Sequence, residues 1–158
     1  MRCKARLRGD STPVLQPPVI EEIWSMLGDP SQSSASKTVL IVEDNELNLR
    51  LLKDILGYHG YTVFSAGLGE LAHELARQHR PDLILMDIQL PDISGMEAAR
   101  RLKEDDQTRT IPIIAVTAFA MSGDESQILA SGCDAYISKP FKIVELLTLV
   151  ERWTTTRS

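Results

Sequence analysis

Five short aliphatic or β-branched runs, TVLIV, YTVFS, DLILMD, IPIIAVT and DAYIS, alternate from Thr38 onward with longer segments of helical spacing. This alternation leaves few folds open. Strands separated by helices are joined by right-handed crossovers and lie parallel, with helices covering both faces of the sheet. The helical segments read as 46–56, 68–79, 96–104, 123–130 and 143–153, with stops at Gly57 and Gly60, at Pro81 and at Gly132. VLIV and LILM are apolar without alternation, as strands covered on both faces are, and belong at the centre. The expected class is α/β, an open, doubly wound sheet.

With 158 residues, 43% of them apolar, the chain can bury the core of one ordinary domain and carry a tail besides. Residues 1–36 differ in texture from the rest: Pro13, Pro17 and Pro18 come early and DPSQSSAS late, which is linker composition. Within this tail Ile20, Ile23, Trp24 and Leu27 share one face of a short helix over 19–27. Disorder or loose packing, a helix that docks on a partner, and a start codon assigned too far upstream are the three readings of it. The main domain is expected over 37–154, with a C-terminal tail at 155–158.

No apolar run approaches the roughly 18 residues of a membrane span, and the basic start RCKARLR leads into no continuous apolar stretch. No membrane and no export signal are expected, and the localisation read from this is cytoplasmic. Cys3 and Cys133 form no CxxC pair and fit a reducing compartment. A formal charge of −5 provides no overall basic field for a polyanion, so no nucleic acid partner is expected. Arg100, Arg101 and Lys103 form a tight basic cluster that reads as a solvated helix face, with docking of an acidic partner as the alternative. His73 and His79 stand six apart, share no helix face, and read as surface residues.

In a parallel sheet the carboxyl ends of the strands gather along one edge, and ligands bind there. Those ends deliver Glu43 and Asp44, Asp87, Thr117 and Lys139. Singly, each has a plain use. Asp44 or Asn45 can cap a helix, Asp87 can be an exposed strand end, Thr117 a strand residue, and Lys139-Pro140 a turn. What single uses leave unexplained is that both central strands bring acids to one region. At about 4 Å and an effective dielectric of about 20, each like-charge pair costs roughly 4 kcal/mol before solvent softens it, so a cation must offset the repulsion. An all-oxygen cluster suits Mg²⁺, which keeps several waters of its own. A phosphoryl group there would be held by the Lys139 ammonium and the Thr117 hydroxyl as well as by the metal. Asp87 can then attack phosphorus and form an acyl phosphate.

The blocks VEDNELN, DLILMDIQLPDISG, PIIAVTAFAM and GCDAYISKPF resemble the receiver domain of two-component response regulators, from Thr38 to about Trp153. Within that family they look like the DivK-type single-domain regulators of bacterial cell division and polarity. The resemblance implies a flavodoxin-like (βα)5 sheet of five parallel strands in the order 2-1-3-4-5. It makes Asp87 the phosphoacceptor, with Mg²⁺ held by Asp44, Asp87 and the backbone carbonyl of Gln89, and by Glu43 through water. Thr117 and Lys139 match the family's phosphoryl-binding hydroxyl and lysine, and the Lys139-Pro140 bond would be cis. Tyr136 matches the aromatic switch residue that turns inward when the hydroxyl engages the phosphoryl group.

The same resemblance implies a phosphoacceptor signalling protein that assists its own phosphorylation and dephosphorylation, not an enzyme. A histidine kinase or histidine phosphotransfer protein would supply the phosphoryl group, and a downstream kinase or adaptor protein would read it. After Trp153 only TTTRS follows, so output is expected through partner proteins. Phe119, beside the site, is predicted to hinder attacking water and lengthen the life of the acyl phosphate. Three alternatives remain. One is a phosphate sink or relay receiver, and another is a receiver fold that is not phosphorylated. The third is a Mg²⁺-dependent aspartyl phosphatase, whose chemistry resembles D-x-D with the second aspartate as general acid; against it, Gln89 holds that position and has no labile proton to donate.

Overall fold

The computed structural model describes residues 37–118 and 124–155. The expectations for residues 1–36, including the helix over 19–27 and Cys3, and those resting on Phe119 and Gly123, lie outside the described residues. In chain order the elements are β1 (Thr38–Val42), α1 (Glu46–Tyr58), β2 (Thr62–Ala66), α2 (Gly69–His79), β3 (Leu83–Asp87), α3 (Gly95–Glu104), β4 (Ile113–Thr117), α4 (Asp124–Ala130), β5 (Ala135–Ser138) and α5 (Ile143–Thr155). All strand pairs are parallel, in the order β2-β1-β3-β4-β5. The doubly wound α/β sheet expected from the alternation is the one observed.

Successive side chains of a strand point to opposite faces, and the apolar runs supply both. Leu40, Val42, Ile84, Met86, Ile113 and Ala115 join Ala72 and Ala76 of α2, Ala98, Ala99 and Leu102 of α3 and Ile128 of α4 in one core cluster. On the opposite face Val39, Ile41, Leu85, Ile114 and Val116 are as fully buried, as are Leu52 and Leu56 of α1 and Leu146 and Val150 of α5. Each such side chain contributes about 1.5–3 kcal/mol of burial, so the central strands are the anchor of the fold. β4 is buried at every position, like β3, so the fully covered centre is one strand wider than VLIV and LILM alone indicate.

The helix ends depart from expectation in instructive ways. Gly57 does not stop α1, which continues to Tyr58. The chain turns at Gly60, whose φ of 90 suits glycine; its N–H donates to the Gly57 carbonyl and that of Tyr61 to the Leu56 carbonyl. Tyr61 is thereby taken by the helix closure, and β2 starts one residue later than YTVFS implies. α2 ends on Arg80, in the left-handed region at φ 47, with Pro81 following the stop instead of making it. α5 extends to Thr155, into the stretch expected as tail.

The histidines are not plain surface residues. His73 Nε2 lies 2.6 Å from Asp105 Oδ2, and the His79 ring stacks on Phe64 with centroids 3.8 Å apart. The basic cluster is neutralised within the domain: Arg100 pairs with Glu97 and Glu104, and Arg101 with Glu70 and Glu97. Lys103 donates to Asp134 and to the Arg109 and Ile111 carbonyls. This is the helix-face reading, with Lys103 working as an internal tie.

Candidate functional site

Register brings the strand ends level. Val42 pairs with Met86, so the next residues, Glu43 and Asp87, stand side by side; Asp87 in turn pairs with Val116, and Thr117 with Ser138. One oxygen from each of Glu43, Asp44 and Asp87 falls in a group no more than 4.8 Å across. Glu43 and Asp87 are buried, at 2% and 6% exposure, whereas Asp44 is exposed. Asn45 takes the cap of α1, its side chain accepting from Asn48 N at 3.0 Å, so capping does not fall to Asp44.

Lys139 enters from the end of β5. Its Nζ donates to Glu43 Oε2 at 3.0 Å and stands 3.6 Å from Asp87 Oδ2. Its main-chain N–H donates to the Thr117 carbonyl at 2.7 Å, and the Lys139–Pro140 peptide is cis. The other Glu43 oxygen accepts from Asn45 N at 3.1 Å, which fixes the carboxylate plane. Gln89 N donates to Asp87 Oδ1 at 3.1 Å, folding the following loop back on the carboxylate. Burial first, and then the adjacent Glu43 carboxyl, push Asp87 up to about 6, against the opposing pull of the Gln89 N–H and Lys139. One lysine does not neutralise the pair, and an oxygen-only donor set with surplus negative charge fits a hard divalent cation.

Thr117 is fully buried at the end of β4, on the rim of a cleft of about 350 Å³ that Gln89, Ser94, Met96, Asp124 and Gln127 also line. Tyr136 is not turned toward it: its hydroxyl donates to the Glu125 carboxylate of α4, which raises the phenol above its ordinary value. Two further residues shape the site. A Cβ on Gly95 would lie 2.1 Å from the Asp87 carbonyl oxygen, so only glycine lets α3 start this close to β3. Its signal in the sequence is a glycine directly before the helix expected over 96–104, eight residues after the strand end. The other is Asp92, which no local pattern marks.

The family model described as response regulator receiver domain matches residues 39–151. The chain belongs to the response regulator receiver family. It is 53% identical over 117 residues to the polar-differentiation response regulator DivK of Brucella anthropi, covering 74% of this chain and 95% of the relative. The DivK of Brucella ovis is 51% identical over 118 residues, covering 75% of this chain and 96% of its own. Among solved structures, the receiver domain of a sensor histidine kinase from Pseudomonas aeruginosa, with a magnesium ion coordinated in its active site cleft, has a TM-score of 0.72. It is 38% identical, covering 77% of this chain and 99% of that one. The receiver domain of a response regulator from Saccharomyces cerevisiae, crystallised with its histidine phosphotransfer protein, matches with a TM-score of 0.72 and 30% identity over 77% of this chain and 91% of that one. The protein is thus a two-component signalling receiver, and its acidic cluster occupies the sheet edge where such a fold binds ligands. Among the described residues no helix is long and apolar enough to cross a membrane.

Proposed function

We propose that Asp87 is the phosphoacceptor of this receiver and that Mg²⁺ is its cofactor. The observation that carries the reading is the meeting of Glu43, Asp44 and Asp87 within 4.8 Å, with Lys139 Nζ 3.6 Å from Asp87. Asp44, Asp87 and the Gln89 backbone carbonyl would hold the ion, with Glu43 reaching it through water. Bound there, Mg²⁺ would neutralise the carboxylates and the phosphoryl oxygens.

The chain's own residues do the rest. An Asp87 oxygen attacks phosphorus while the phosphorus–nitrogen bond of a donor phosphohistidine breaks, and the leaving imidazole takes up a proton. Glu43 holds Lys139 beside Asp87 beforehand, so the ammonium is placed for a phosphoryl oxygen with little reorganisation. The Thr117 hydroxyl takes another oxygen. Its movement toward the phosphoryl group opens room for Tyr136 to leave Glu125 and turn inward, changing the surface of α4, β5 and α5.

A histidine kinase or histidine phosphotransfer protein supplies the phosphoryl group, a reading supported by likeness to a receiver crystallised with a phosphotransfer protein. The exposed Leu47 and Leu51, one turn apart on α1 beside the site, offer a donor helix an apolar strip. A downstream kinase or adaptor protein reads the phosphorylated form in the cytoplasm. Identity above half with DivK supports a role in division or polarity control. Likeness to a sensor kinase's receiver supports relay as the second reading.

The test is incubation with acetyl phosphate and Mg²⁺ followed by intact-mass measurement. Wild type should gain one phosphoryl group and lose the gain in chelator, whereas Asp87→Asn should gain none. An equal gain on Asp87→Asn would sink the assignment.

A further inference from the structure

The loop at residues 88–94 carries Gln89 past Asp87, and a helix it does not belong to holds its far side. α2 begins without a cap of its own: Leu68 is extended (φ −128, ψ 141) and makes no side-chain hydrogen bond to the first turn. Asp92 supplies the cap from across the loop. Its Oδ1 accepts from Gly69 N at 2.9 Å and its Oδ2 from Glu70 N at 2.8 Å, so both oxygens are engaged at the positive end of the α2 dipole. Desolvation works against the charge, and the N–H groups of Glu70 and Gly69 outweigh it, holding the carboxyl below its ordinary range.

The surroundings are fitted to this contact. A Cβ on Gly69 would lie 2.7 Å from Ile93 Cγ1 and 3.2 Å from Leu90 Cδ1, so residues on either side of Asp92 press on the same turn of α2. Arg101 of α3 donates to Glu70 at 2.8 Å and ties that turn to the next helix. At its other points the loop is fixed by Gln89 N on Asp87 Oδ1, by Gly95 N on the Ile88 carbonyl at 2.9 Å, and by Ser94, whose hydroxyl accepts from Met96 N. Between Gln89 and Ser94 the loop is held by the hydrogen bonds of Asp92 and by Leu90 and Ile93, which pack against the core.

We infer that Asp92 is a positioning residue for Mg²⁺ binding: by capping α2 from outside it, Asp92 fixes the course of residues 88–94 and so the Gln89 main-chain carbonyl beside Asp87. The inference rests on the Mg²⁺-dependent reading of the site given above. It makes Asp92 an outer-layer partner of a ligand, of the kind whose loss weakens metal binding without removing a ligand.

Calorimetric titration of wild type, Asp92→Ala, Asp92→Asn and Thr154→Ala with MgCl₂ tests it. Asp92→Ala should bind Mg²⁺ about 10-fold more weakly. Asp92→Asn keeps one acceptor oxygen and should fall between it and wild type. Thr154→Ala, which loses a hydrogen bond in α5 away from the loop, should bind as wild type does. With acetyl phosphate as donor, the Mg²⁺ concentration giving half-maximal phosphorylation should rise about 10-fold in Asp92→Ala, with the rate at saturating Mg²⁺ within about twofold of wild type. Unchanged affinity in both Asp92 variants, or an equal loss in Thr154→Ala, would overturn the inference. Should Asp92→Ala not fold, Asp92→Asn against Thr154→Ala decides it. No Mg²⁺ uptake by wild type would instead overturn the reading of the site itself, and this inference with it.

Discussion

Asp87 sits where its charge would serve the proposed phosphoryl transfer and is unfavourable to folding. Its carboxyl titrates near 6 in the folded protein against an ordinary value of 3.8, because burial and the Glu43 carboxyl both disfavour the ionised form. Linkage gives the sign. Below about 3.8 the group is protonated in both folded and unfolded chains and contributes nothing. As pH rises toward 6 the unfolded chain ionises first, stability falls, and above 6 the penalty is complete. The gap between the two values corresponds to about 3 kcal/mol, which solvent near the rim reduces. In chelator, Asp87→Asn is therefore expected to be more stable than wild type by about 1–3 kcal/mol at pH 8, with the advantage fading as pH falls through 6. Urea denaturation at several pH values measures this. Equal midpoints at pH 8 would show that Lys139 already balances the pair. Saturating Mg²⁺ should narrow the difference, since it binds the folded wild type and offsets the same repulsion.

Between residue and fold stand the element ends, where the chain's plan was least readable. The alternation of strands and helices along the chain follows from hydrophobic period, and with it the gathering of Glu43, Asp44 and Asp87, because parallel strands align their carboxyl ends; the strand order came with the family resemblance. The helix ends were harder. Gly57 looks like a stop and lies inside α1, because the closure needs its left-handed residue at Gly60; Arg80 accepts that conformation at α2 with no glycine to mark it. The Asp92 cap and the Tyr136–Glu125 bond join residues far apart in sequence and carry no periodicity. Gly95 was visible as a glycine but not as a close approach. Its role yields a sharp expectation: in Gly95→Ala the new methyl meets the Asp87 carbonyl at 2.1 Å, backbone that cannot yield as a side-chain tip would. The cost should be about 2–4 kcal/mol in urea denaturation, with phosphorylation of Asp87 impaired beyond what the lost stability explains. A stable variant phosphorylated at the wild-type rate would mean that α3 can slide away from β3 without disturbing the site.

At the scale of the whole molecule, rigid and yielding parts fall in different places. β1, β3 and β4 are buried almost throughout and carry Glu43, Asp87 and Thr117 at their ends, so the groups of the proposed site extend from the best-anchored strands. β2 and β5 form the edges, and β5, with two half-buried positions and an exposed end, bears Tyr136. On the proposed reading Tyr136 changes partners and gains from an element whose opening costs little, whereas the proposed phosphoacceptor, Asp87, does not. Amide hydrogen exchange should therefore separate them. Amides at 40–42, 84–86 and 114–116 should exchange only by global unfolding, and those of β5 by opening events of lower free energy that persist in Mg²⁺ and chelator alike. Phosphorylation should slow exchange in β5 and α4, where Tyr136 would find new packing on the proposed reading, and leave the central strands as they were. Equal protection across all five strands in both states would mean that the sheet opens as one unit, and β5 would lose its place as the moving part.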